Sequence, residues 1–298
     1  MLANTYFHQG KLNEAEQLEV HVLDMWKKLL GAEHPDTLTG MGNLARTYCY
    51  QGKMNEAEQL EVQVLDMRKK LLGAEHPDTL TIMGNLARTF YCQGKLYEAE
   101  QLGVQVLDMR KKLLGAEHPD TLITMGNLAS TYYRQGKLNE AEQLEVQVLD
   151  TRKKLLGTKH PDTLTSMGNL ACTYCYQGKL NEAKQLGLQV LDMRKKLLGV
   201  EHPHTLASME SLANTYYCKG KSNEAKQLEI QVLDMRKKML GAKHPDTLTS
   251  MGNLARIYYS QGKFNEAEQL EVQVLEMRKR LLGVEHPDTF TAMRNIAR

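Results

Sequence analysis

The sequence predicts an all-α fold, an α-solenoid of stacked antiparallel helix pairs, from three observations. The phrase Gly-Ala-Glu-His-Pro-Asp-Thr-Leu-Thr at Gly73–Thr81 recurs along the chain with small changes. All seven prolines, Pro35, Pro77, Pro119, Pro161, Pro203, Pro245 and Pro287, lie in copies of that phrase and follow one another every 42 residues. A fixed period of this size marks a repeat array, whose units bury their apolar faces only against one another. Between successive prolines lie two segments whose apolar residues recur at spacings of three and four, the period of a helix with one buried face.

The period divides the chain into six full units, 34–75, 76–117, 118–159, 160–201, 202–243 and 244–285, read as one domain with partial units 1–33 and 286–298. Unit 118–159 shows the pattern. Pro119 suits the first turn of a helix, where its missing N–H is harmless, and Asp120 complements the helix dipole. Leu122, Met125, Leu128, Ala129 and Tyr132 form the apolar face, and Gly136 ends the helix in a left-handed conformation. In the second helix, Asn139 with Glu142 three residues later matches a capping box. Lys184 and Lys226 replace that Glu in two units and are expected to weaken those starts. Ala141, Leu144, Val148, Leu149, Leu155 and Leu156 form the second stripe, and Gly157 closes the helix. The acidic first halves (Glu56, Glu58, Glu61) and basic ends (Arg68, Lys69, Lys70) of these helices read as dipole-matched charge on a solvated outer face. Residues 1–6 align with the middle of a first helix, and Arg298 aligns with Ser130. The ends therefore read as those of a fragment, a truncated product or a chain stacking on something else.

Composition excludes several classes. With 38 basic and 36 acidic residues and a net charge of +2, the chain lacks the basic excess of a nucleic-acid binder. Hydrophobic content of 42% is that of an ordinary soluble protein. No apolar run approaches a membrane span, and residues 1–10 do not form a signal peptide. Five cysteines, an odd number, read as reduced thiols, with Cys172 and Cys175 as two small residues on one helix. Eight of the ten histidines belong to the proline phrase, where turn chemistry accounts for them better than metal ligation. Repeated polar residues make a duplicated surface rather than a convergence of unlike groups, so neither catalysis nor a cofactor is expected.

Leu128, Ala129, Tyr132, Gly136, Ala141 and Val148, with Met125 where the family often has Trp, resemble the tetratricopeptide repeat. The 42-residue unit, whose second helix ends Arg-Lys-Lys-Leu-Leu-Gly before His-Pro-Asp, is similar to the kinesin light chain version. The resemblance implies a right-handed solenoid with first helices lining a concave side. It also implies a cytoplasmic, cytoskeleton-associated scaffold for peptide ligands such as cargo adaptors or a kinesin heavy chain. The ligand-facing positions it implies are Asn43, Asn85, Asn127, Asn169, Asn253 and Asn295, with Ser211 in unit 202–243. Three residues later stand Arg46, Arg88, Ser130, Cys172, Asn214, Arg256 and Arg298.

Asn can pair with both groups of an extended backbone, and Arg can hold a carboxylate at two points. The ladder therefore reads as a groove for an extended, acidic peptide. Gly42, Gly84, Gly126, Gly168 and Gly252 stand where kinesin light chains often have another Asn. Each mid-helix Gly costs roughly 1 kcal/mol against Ala, which suggests room for close helix packing or for a ligand backbone. Glu210, in the same position, is expected to repel an acidic ligand. Tyr50, Tyr91, Tyr133, Tyr176, Tyr217 and Tyr259 either line the groove or pack against the next helix. The alternative readings are the repeat arm of a larger nucleotide-binding sensor and a structural spacer.

Overall fold

The computed structural model describes residues 2–284 and 287–296. These residues form fifteen α-helices and no strand. The helices fall into two compact units, Met1–Val148 and Leu149–Arg298. The first contains α1 (Leu2–His8), α2 (Leu12–Leu29), α3 (Pro35–Tyr50), α4 (Met54–Leu72), α5 (Pro77–Gln93), α6 (Leu96–Leu114) and α7 (Pro119–Arg134). The unit boundary falls within α8 (Leu138–Leu156). The second contains α9 (Pro161–Tyr176), α10 (Leu180–Leu198), α11 (Pro203–Cys218), α12 (Ser222–Leu240), α13 (Pro245–Ser260), α14 (Phe264–Leu282) and α15 (Pro287–Ile296). Within each unit, every helix packs against the next in sequence, so each repeat is a helix hairpin joined to its successor.

The recurring phrase is a self-contained turn. Gly73 sits at φ 91°, a conformation that favours glycine, and its carbonyl accepts from the Thr79 hydroxyl at 2.8 Å. His76 is the N-cap of α5, its Nδ1 accepting from the Asp78 N–H at 3.1 Å. His34, His118, His160, His202 and His244 cap their helices in the same way. The histidines thus supply turn chemistry by doing the work of an Asn or Ser cap. Among the described residues, no group of three or more His, Cys, Asp or Glu side chains could hold a metal ion.

The apolar face of the first helix packs as expected: Leu122, Met125, Leu128 and Ala129 are buried. In the second helix the stripe needs correction. Ala141, Val148 and Leu149 are buried, but Leu155 and Leu156 are 49% and 44% exposed. The inward position of the last turns belongs instead to the arginine that recurs in this register. Arg68, assigned by charge to a solvated face, is 8% exposed. Its Nη1 donates to the Asp78 carbonyl at 2.9 Å, on the first turn of the following helix. Arg110 donates to the Asp120 carbonyl at 3.0 Å and to the Thr124 hydroxyl at 2.8 Å. A guanidinium reaches two acceptors at once, which a leucine could not replace.

The capping box is also corrected. Asn139 lies inside α8, one residue past its start. At the equivalent position in α4, the N-cap is Lys53, without a side-chain cap bond. Asn55 accepts from Gln93 of the next repeat at 3.2 Å, and the Gln93 Nε2 donates to the Glu58 Oε2 at 2.7 Å. Lys95 forms an ion pair with the same Glu58 oxygen at 2.7 Å. Glu100 is held in this way by Gln135 and Lys137. Sequence spacing that suggested a local cap serves contact between repeats. At one position without the Glu, Lys184 instead lies 5.7 Å from the Tyr216 ring centre.

Candidate functional site

The first helices present a face built from equivalent positions. In the first unit α5 touches α7, and in the second α9 touches α11. The mid-helix glycines are not there for tight packing. A Cβ added at Gly84, Gly126, Gly168 or Gly252 would meet no heavy atom within 4 Å, and at Gly42 only Ile82 at 3.4 Å. They leave open space along the face.

Beside this space, Asn43, Asn127 and Asn169 are exposed, while Asn85 and Asn253 are half-buried. Arg46 donates to Asn4 at 2.9 Å and stacks over Phe7 at 4.5 Å. Arg256 repeats the arrangement, donating to Asn214 at 2.9 Å and lying 4.5 Å over Tyr217. Arg88 is exposed, 6.0 Å from the Tyr50 ring centre. Each of these arginines thus leans on the preceding repeat. Tyr133 is half-buried, whereas Tyr50, Tyr176 and Tyr259 are more than half exposed. Tyr91 and Tyr217 pack under the guanidinium groups of Arg134 and Arg256 from the next repeat. Asn295 donates to Glu271 at 3.3 Å, and Arg298 lies outside the described residues.

Charge counting missed what lies beneath the arginines. Glu61, read as solvated, is 3% exposed, and Glu229 is 1% exposed. Burial pushes both carboxyls up to about 7, against which the nearby Arg88 and Arg256 charges pull down. Glu19 is raised by burial in the same way and eased by Arg46. Two repeats carry Gly103 and Gly187 in place of this Glu, and there the rim positions hold Ser130 and Asn214 rather than Arg. Leu128 and Leu212 fill the vacated volume, each 3.3 Å from where a Cβ would stand. The signal was readable: Glu61 is four residues from Ala57 and three from Val64, on the apolar stripe itself.

Two cavities open on this face in the second unit. One, of about 670 Å³, lies among α13, α14 and α15, with Gly252, Asn253, Arg256, Tyr259 and Asn295 in its wall. The other, of about 320 Å³, is lined by Tyr176, Glu210, Asn214, Glu229, Asn253 and Arg256. Elsewhere the chemistry is quiet: none of the five cysteines is in a disulfide, and burial pushes the Cys175 thiol up to about 12.

The tetratricopeptide repeat profiles match residues 1–70, 63–112 and 78–154, and then 163–204, 205–246 and 247–288. The chain belongs to the tetratricopeptide repeat family. It is 37% identical to nearly identical TPR-like repeats from a Podosopora anserina protein classed with the kinesin light chains. That match covers 70% of this chain and 98% of the other, with a TM-score of 0.61. The 42-residue units are therefore of the kinesin light chain type. BtubC (BKLC) from P. vanneervenii is 20% identical over 78% of this chain and 94% of its own, with a TM-score of 0.60. RapI is 14% identical over 94% of this chain and 96% of its own, with a TM-score of 0.71. These last two share the fold. No curated protein matches the chain.

Proposed function

We propose that this repeat protein is a non-catalytic scaffold that binds extended, acidic peptide segments of other proteins along its first-helix face. The observation that carries the reading is the open space over Gly84, Gly126, Gly168 and Gly252, a recurrent helix cost that no packing contact explains. In this reading a ligand backbone occupies the space, and the exposed Asn43, Asn127 and Asn169 beside it pair with that backbone. Arg46, Arg88 and Arg256 supply the acid preference, each able to exchange part of its attraction to a buried Glu for a ligand carboxylate. In this reading the six repeats act as one array, and partners are protein segments such as cargo adaptors or a kinesin heavy chain in the cytoplasm. Among the described residues, no helix is long and apolar enough to cross a membrane.

The test is fluorescence anisotropy against a peptide library at low and high salt. The wild-type chain is compared with an Asn85→Ala, Arg88→Ala, Asn127→Ala variant of unchanged helicity. Saturable binding of acidic peptides that weakens with salt and is lost in the variant is expected. Binding that the variant retains would remove these residues from the site.

A further inference from the structure

Unit 202–243 breaks the pattern of the others in a way that builds a distinct subsite. Where five repeats have a glycine, open in four of them, α11 has Glu210. Its carboxylate accepts from Arg236 through both oxygens at 3.0 Å, and from the Asn253 Nδ2 at 2.8 Å. The Arg236 charge is therefore spent within the pair. Below it, Glu229 on α12 forms part of the wall of the 320 Å³ cavity. Its Oε1 is buried without a hydrogen-bond partner among the described residues, as is Oε2 of the equivalent Glu61 and Glu271, whose units carry Gly42 and Gly252 where this one has Glu210. The cation on the cavity wall, Arg256, is directed to Asn214 at 2.9 Å and over Tyr217. Tyr176, 65% exposed, also lines the cavity.

We infer that this cavity is a subsite for a lysine side chain of a bound peptide, its ammonium donating to Glu229 beside the Glu210 carboxylate. The inference rests on the peptide-binding reading above and adds a local exception to its preference for acidic ligands. A buried carboxylate oxygen with no donor is costly, and a cationic donor is the partner that relieves both the desolvation and the missing bond. The cavity is near the lower end of ligand-pocket volumes, which suits a single side chain.

The groups facing Glu229 set the direction of its pH dependence. Its pKa is held up to about 7, first by burial and then by Glu210 on α11. Asn253 and Arg256 on α13 and Arg236 on α12 oppose this. An ammonium ligand favours the ionised carboxylate, so its binding releases a proton and strengthens as pH rises towards about 7.

The experiment uses the full chain and N-acetylated peptides that differ at one central residue: Lys, norleucine or Glu. A peptide without Lys but with a free N-terminus separates a side-chain ammonium from a terminal one. The Lys peptide is expected to bind on the order of tenfold tighter than the norleucine peptide at about pH 8, the gap narrowing towards about pH 5.5. Glu229→Gly and Glu210→Gly should each abolish the gap. Both place in this unit a residue that other units already hold at that position, Gly187 and Gly252 respectively. Equal binding of Lys and norleucine peptides, a Lys preference that survives both substitutions, or a preference met only by the free N-terminus would overturn the subsite and leave the peptide face standing. Binding of none of the peptides would overturn both.

Discussion

The histidines carry the repeat at the residue scale. An imidazole can cap a helix only while its Nδ1 holds no proton, since that nitrogen accepts the bond from the N–H two residues on. His118→Ala should therefore destabilise the chain by about 1 kcal/mol, and His118→Asn should restore most of that, as followed by urea denaturation at neutral pH. A loss shared equally by the two variants would show that the ring packs rather than caps. The same scale explains why rim arginines keep company with buried acids. Arg88 stands near Glu61 and eases its ionisation, and Ser130 follows Gly103, which has no charge to offset, whereas the buried Glu145 has Cys172 rather than Arg at its rim.

Second helices such as α4 and α6 tie two neighbours together at once. The start of each accepts the Gln and Lys of the next repeat, and its last turns send an arginine into the start of the following helix. Arg110→Met keeps the bulk of the side chain while removing both bonds to α7. It should cost about 2 kcal/mol, with faster amide hydrogen exchange concentrated in the first turn of α7. Uniform acceleration across the chain would instead mean that Arg110 acts through global stability alone. Helix type, order and ends were legible from periodicity, proline and glycine. The roles of Asn139, Glu58 and Arg68 were not, because local spacing reads alike whether a polar group caps its own helix or reaches the next repeat. Leu155 and Leu156 continue the apolar stripe in sequence, yet remain half exposed because none of the described helices covers them.

For the whole molecule, two sets of glutamates act in opposite directions on stability. Glu16 and Glu58 are held below their ordinary value, first by hydrogen bonds from Lys53 and Lys95, so their contribution is present above about 4.5 and fades as pH falls further. Glu61 and Glu229 are held up to about 7 by burial, so stability declines as pH rises from about 4.5 to about 7. The chain should be most resistant to urea near about pH 5. A Glu61→Gln, Glu229→Gln variant should lose most of the decline between about pH 5 and 7. An unaltered decline would place its origin elsewhere.

The sequence by itself determined the all-α class, the 42-residue period, the helix pairing and the family type, because each repeat is specified by short-range rules of turn chemistry and apolar spacing applied again and again. It also marked the Asn and Arg positions on the first helices. Only the tertiary structure decided that the mid-helix glycines open onto empty space, that Glu61 and Glu229 are buried beneath that face, and that Glu210 closes one rung with Arg236 and Asn253. Those facts depend on which side chain of one repeat meets which of the next, a contact between residues some 24 to 43 positions apart that no local pattern encodes.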